Sequence, residues 1–181
     1  MDLSKMVDER LVKFDMDASS KEDAIRKVAA LMYTTGKVSD QNVYIQGVLD
    51  REKEFATGIG MHIAIPHCKN QVVTEAAFTM VKLKQGIDWG SFDGLPVNFI
   101  IMLAAPDNSD NIHLTMLSTL ARNLMDDDFR SGLLEATSSK PKALKNQEIF
   151  KGKLRDRLPL FCSAGEWGVD KKVDVRSCFR Q

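Results

Sequence analysis

The run VNFIIMLAA constrains this chain more than any other feature, because it holds one polar residue in nine. It is far too short for a membrane-spanning helix, which needs about 20 apolar residues. It is too uniformly apolar for a strand with one wet face. Residues 97–104 therefore read as a strand covered on both sides. A second apolar stretch, residues 77–83, reads as another strand of the same sheet.

Covering both faces takes helices, and the sequence supplies them. Ser19 and Glu22 form a capping box before Ile25, Val28, Ala29 and Met32, which recur at helical spacing, and Gly36 suits the stop. A second helix is expected over residues 40–53, entered from Ser39 and burying Val43, Val48 and Leu49. A third follows residues 107–111, with Leu117, Leu120, Ala121 and Leu124 as its apolar stripe. Such alternation argues an α/β fold: a compact sandwich in which a mixed sheet is flanked by helices on both faces.

At 181 residues and 44% apolar content the chain can bury one core. Balanced charge, 25 basic against 25 acidic residues, excludes a generally basic nucleic-acid binder, and the opening MDLSKMVDERLVKFD is too charged for a secretory signal. A cytoplasmic protein is expected. Cys68, Cys162 and Cys178 lie too far apart for a disulfide framework or a zinc ribbon. The charge balance hides an asymmetry. Residues 1–139 carry 14 basic and 20 acidic side chains, whereas residues 140–181 carry 11 and 5. The latter segment has no sustained period and is broken by Pro141, Pro159, Gly152, Gly165 and Gly168. The working domain is placed at 1–139, and 140–181 is read as an irregular basic appendage of unknown role. A non-native or frame-altered terminus accounts for the jump in composition.

The three histidines, His62, His67 and His113, carry the chemistry. Gly58 and Gly60 permit a tight turn with close backbone approach, after which residues 63–65 enter the sheet. Pro66 removes a ladder donor and puts His67 at the strand end, beside a loop with backbone donors to offer. An imidazole there is neutral, nucleophilic and protonatable near pH 7, and suits meeting another protein.

The run REKEFATGIGMHIAIPH (51–67), Gly86-Ile87-Asp88-Trp89 with Asp93-Gly94-Leu95-Pro96-Val97, and Asn111-Ile112-His113-Leu114 together resemble the enzyme IIA domain of the bacterial phosphotransferase system. The similarity is to the fructose/mannitol superfamily, nearest its fructose-type branch, and covers roughly residues 5–137. The resemblance implies a phosphoryl carrier with a phosphohistidine intermediate, charged by the carrier protein HPr. It discharges to a cysteine of enzyme IIB, which serves the membrane component IIC in sugar uptake. His67 falls on the phosphoryl-accepting histidine, Arg51 on the arginine that pairs with the phosphoryl group, and His113 on the second active-site histidine. No cofactor or metal is implied. The chemistry suits these residue types. His67 must attack with a neutral nitrogen while its other nitrogen donates to a carbonyl, and Arg51 offers a planar fork to two phosphoryl oxygens. His113, at a helix start, adds a hydrogen bond near the positive helix end.

Other readings fit some of the same residues. The nitrogen-type regulatory IIA protein keeps the same histidine and acts by binding proteins, but GIDWGSFDGLPV is a habit of the sugar branch. A third reading is an interaction module with a vestigial catalytic loop. His62 is assigned no role. A zinc site of His62, His67, Cys68 and His113 fails on spacing, nothing near Cys68 is arranged to activate it, and residues 140–181 are too few to hold a IIB domain.

Overall fold

The computed structural model describes residues 7–108 and 110–135. In chain order the elements are β1 (Val7–Met16), α1 (Lys21–Thr34), α2 (Gln41–Glu54), β2 (Gly58–Gly60), β3 (Ile63–Ala64), β4 (His67–Asn70), β5 (Ala77–Ile87), β6 (Val97–Pro106), α3 (Asp110–Leu124) and α4 (Asp127–Glu135). The expected central strand is β6, which runs antiparallel to β5 and parallel to both β3 and β4. Sheet order is β1-β5-β6-β3-β2, with β4 also on β6 and β1 parallel to β5. The sheet is mixed, as expected.

Side-chain alternation along β6 explains why its sequence is continuously apolar. Ile100, Met102 and Ala104 point into one cluster, with Ile25, Val28, Ala29 and Met32 of α1 and Tyr44, Ile45 and Val48 of α2. Phe99, Ile101 and Leu103 point the other way, against Met116, Leu120 and Leu124 of α3 and Phe129 and Leu133 of α4. Every residue from 99 to 104 is at most 3% exposed, and burying each large side chain contributes about 1.5–3 kcal/mol. Helices cover both faces, so the sandwich predicted from the sequence is the sandwich found.

Details differ. The cap of α1 is Ser20, one residue later than expected: its Oγ accepts the Asp23 N–H at 3.1 Å, and the Asp23 carboxylate accepts the Ser19 N–H at 2.9 Å. Glu22, the expected box partner, instead pairs with Arg26 one turn on. Asp40 rather than Ser39 caps α2, accepting the N–H groups of Asn42 and Val43. Val43 is 40% exposed, and the buried set of α2 is Tyr44, Ile45, Val48 and Glu52. Tyr44 goes inside because its hydroxyl finds a partner there, donating to the Leu103 carbonyl at 2.9 Å. The appendage expected at 140–181 lies outside the described residues.

Candidate functional site

Pro66 interrupts the edge of the sheet, but the strand resumes. Its carbonyl accepts the Leu103 N–H at 3.0 Å, and β4 continues along β6 with His67 opposite Leu103. His67 therefore opens a strand rather than ending one. Ile63 and Ile65 pack on the α3 side and Cys68 on the α2 side, so alternation turns His67 toward α3. There, in the first turn of α3, sits His113. The two ring centroids are 5.5 Å apart, tilted by 47°.

The His67 ring is held by its own chain. Nδ1 lies 2.8 Å from the Ile65 carbonyl oxygen. A carbonyl can only accept, so Nδ1 carries the proton and Nε2 keeps the lone pair. Burial pushes the protonation of this half-buried ring below the ordinary histidine range; the Ile65 carbonyl partly offsets that, and the Arg51 guanidinium adds to it. Neutral His67 is thus favoured at working pH.

Arg51 lies in the last turn of α2, half-buried, with Nη1 donating to the Phe55 carbonyl at 3.3 Å. Its approach to His67 depends on Gly47, one turn earlier. A Cβ at Gly47 would sit 2.5 Å from the Cys68 sulfur, so only glycine lets α2 lie this close to β4. The three residues expected at the site, His67, His113 and Arg51, converge: two rings in contact, and a cation near enough to bias the first.

The glycine loop works otherwise than expected. Gly60, Met61 and His62 have φ of 81°, 54° and 65°, three left-handed residues in succession, and each non-glycine there costs about 1–2 kcal/mol. Segment 91–99 holds them. The Asp93 carboxylate accepts the Met61 N–H at 2.8 Å and the Leu95 N–H at 3.1 Å, and His62 contacts the Pro96 carbonyl through Nδ1 at 2.8 Å. The close approaches that Gly58 and Gly60 allow are to Ser91 and Asp93. The Met61 donor is thereby taken up inside the protein. His62 has a structural post on the Pro96 carbonyl. Cys68 is buried against α2, and burial pushes its thiol up to about 11, which keeps it protonated and inert at neutral pH.

Glu52 and Thr57 stand inside the sequence motif without a role of their own. Both are buried, 6% and 7% exposed. Glu52 accepts the backbone N–H of Thr57 at 3.0 Å and its hydroxyl at 2.5 Å, while Lys21 and the fully buried Trp89 complete the cluster. A Glu–(x)4–Thr spacing across a helix end was the available signal; its partners Lys21 and Trp89 lie too far along the chain to be read.

Comparison with known proteins places this geometry. Residues 5–141 match the family model described as phosphoenolpyruvate-dependent sugar phosphotransferase system, EIIA 2. The chain is 35% identical over 138 residues to the fructose-specific EIIABC component of Bacillus subtilis, a match covering 76% of this chain and 22% of that protein. It is 34% identical over 137 residues to the fructose-specific EIIA component of Haloferax volcanii, covering 76% of this chain and 89% of that one. Among solved structures it resembles the nitrogen regulatory protein IIA-Ntr of Neisseria meningitidis, with a TM-score of 0.72 at 24% identity over 84% of this chain and 98% of that one. Fold and sequence match agree, and the chain belongs to the EIIA 2 family of the phosphoenolpyruvate-dependent sugar phosphotransferase system.

Proposed function

We propose that this chain is a phosphoryl carrier of the sugar phosphotransferase system, with His67 as the acceptor. In this reading Nε2 of neutral His67 attacks the phosphorus of phospho-HPr. The new N–P bond forms as the old one breaks, and the departing imidazole takes the bonding electrons and then a proton. The transition state spreads charge over three equatorial oxygens, so catalysis is positioning and electrostatics. Arg51 pairs with those oxygens, and His113 donates a hydrogen bond to them. Passage to a cysteine of enzyme IIB reverses the sequence.

The observation that carries the reading is the 2.8 Å contact from His67 Nδ1 to the Ile65 carbonyl, because it assigns the proton to one nitrogen and the lone pair to the other. Kinship favours the sugar branch: the relatives at 34% and 35% identity are named fructose-specific, while the likeness to the nitrogen regulatory protein, at 24% identity, carries the fold alone. The name EIIABC, borne by a relative of which this chain spans 22%, supports IIB and IIC as onward partners. We place the carrier in the cytoplasm, where HPr would charge it, and assign residues 1–139 to the carrier domain. The described residues contain no helix long and apolar enough to cross a membrane.

Incubation with phosphoenolpyruvate, enzyme I and HPr should label the wild type with acid-labile phosphate and leave His67→Ala unlabelled. Equal labelling of both removes the assignment. Onward transfer to a IIB domain supports the sugar carrier; a labelled protein that discharges to no IIB points to the regulator.

A further inference from the structure

The hydrogen bond that orients His67 is the last of a chain that starts at a buried carboxylate. The Ile65 carbonyl accepts from His67 Nδ1 at 2.8 Å, and the Ile65 N–H donates to the Thr57 carbonyl at 2.9 Å. Thr57 is in turn clamped by Glu52, which accepts its N–H at 3.0 Å and its hydroxyl at 2.5 Å. The hydroxyl oxygen also accepts from Trp89 Nε1 at 3.3 Å. Lys21 closes the cluster, its Nζ donating to Glu52 Oε1 at 3.4 Å and to the Trp89 carbonyl at 3.1 Å. Glu52 and Trp89 thus hold Thr57 directly, Lys21 braces both of them from a distant helix, and Thr57 in turn holds Ile65.

We propose that Glu52, acting through Thr57 and the Ile65 backbone, is a positioning residue that sets the orientation and tautomer of His67. The proposal deepens the carrier reading and rests on it for its catalytic meaning, but the tautomer itself is a property of the resting protein. The geometry argues for a role beyond holding the fold. Burying a carboxylate is costly, and a buried charged cluster is often no more stable than an apolar replacement. Here its oxygens are used on the peptide segment beside the site. Arg51, the neighbour of Glu52 in the last turn of α2, fastens the same segment by donating to the Phe55 carbonyl. One helical turn therefore presents a cation to the phosphoryl site and an anion to the frame of the imidazole, so the two stay in register. The next peptide is tied separately, the Pro66 carbonyl accepting the Leu103 N–H at 3.0 Å, so Thr57 acts on the Ile65 peptide.

Two near-isosteric variants test this. Thr57→Val removes the hydroxyl and keeps both backbone groups; Glu52→Gln keeps the shape and removes the charge. Long-range proton–nitrogen NMR of imidazole-labelled protein reads the tautomer directly. Wild-type His67 should show the Nδ1–H form. Both folded variants should populate the Nε2–H form and lose about 10-fold or more in phosphoryl uptake, as expected when a reacting group is misplaced. Thr57→Ser should restore both. If Thr57→Val fails to fold, Glu52→Gln carries the test. A folded variant that keeps His67 wholly in the Nδ1–H form at the wild-type transfer rate overturns the proposal. A tautomer that shifts in a protein that never takes up phosphate supports the positioning role and sinks the carrier reading instead.

Discussion

Gly47→Ala probes the seam that brings α2, and with it Arg51, against the strand bearing His67. The added Cβ would meet the Cys68 sulfur at 2.5 Å and Asn70 Nδ2 at 3.3 Å, where ordinary contact begins at 3.4 Å. About 1 Å of displacement is needed, and Cys68 is buried, with one rotatable bond to supply it. Overpacking of this kind costs about 1–3 kcal/mol. Against it stands the gain of about 1 kcal/mol from replacing a mid-helix glycine by alanine. The net loss should be about 1 kcal/mol, or about 4 °C in melting temperature for a domain of this size. Cys68→Ala removes the clashing sulfur and leaves its Cβ at a comfortable 3.9 Å. The double variant should therefore be more stable than the sum of the single losses predicts, by about 1–3 kcal/mol. Urea denaturation of the four proteins measures the cycle. Phosphoryl uptake should fall with Gly47→Ala, by up to about 100-fold for a 1 Å shift of Arg51, and recover in the double variant. Additive effects, within about 0.5 kcal/mol, would refute the close seam and the account of how Arg51 is placed.

Arg51→Ala should slow phosphorylation by about 100-fold or more, the scale for losing a charged donor at a transition state, while stability stays within about 0.5 kcal/mol, because the side chain makes one long hydrogen bond; an unchanged rate would return Arg51 to the surface. The same variant should raise the titration midpoint of His67, since the guanidinium is one cause of its depression; histidine NMR titration reads this. The sign for stability follows from that depression. Above the ordinary value of 6.5 His67 is neutral folded and unfolded, and contributes nothing. As pH falls through 6.5 the unfolded chain takes the proton first, so stability drops until the lower folded value is passed. His67→Gln should lose less stability than wild type between pH 7 and pH 5; an equal or greater loss would contradict it. Native Cys68, its thiol held protonated, should resist alkylation at pH 8 that readily modifies it in urea, as peptide mass spectrometry would report; fast native alkylation would contradict its burial.

What the sequence discloses is what local pattern determines. The run 97–105 forces a doubly covered strand because no other short element tolerates so little polarity, and the layers follow from it. β1 escapes notice because it is an edge strand: in VDERLVKFDM, Leu11 and Met16 are buried, while charged Glu9, Arg10 and Lys13 face water, so the run does not look like a core strand. Tyr44 and Val43 exchange places relative to expectation because a hydroxyl's partner, the Leu103 carbonyl, is 59 residues away. The same limit hides the cluster around Glu52. Its neighbours Lys21 and Trp89 are remote in sequence, so nothing local announces that Glu52 is buried. His67, His113 and Arg51 are proposed from the sequence because their flanking segments form a motif. That Asp93 restrains the left-handed loop 60–62 is legible only in three dimensions.

The central claim is that one nitrogen, Nε2 of His67, carries the phosphoryl group. Phosphorus and nitrogen NMR of the protein charged through enzyme I and HPr, with nitrogen-labelled imidazoles, tests it most directly. A single phosphohistidine whose phosphorus couples to Nε2 of His67, with Nδ1 still protonated, is the predicted result. Phosphate on Nδ1, on His62 or His113, or on no histidine at all would contradict it.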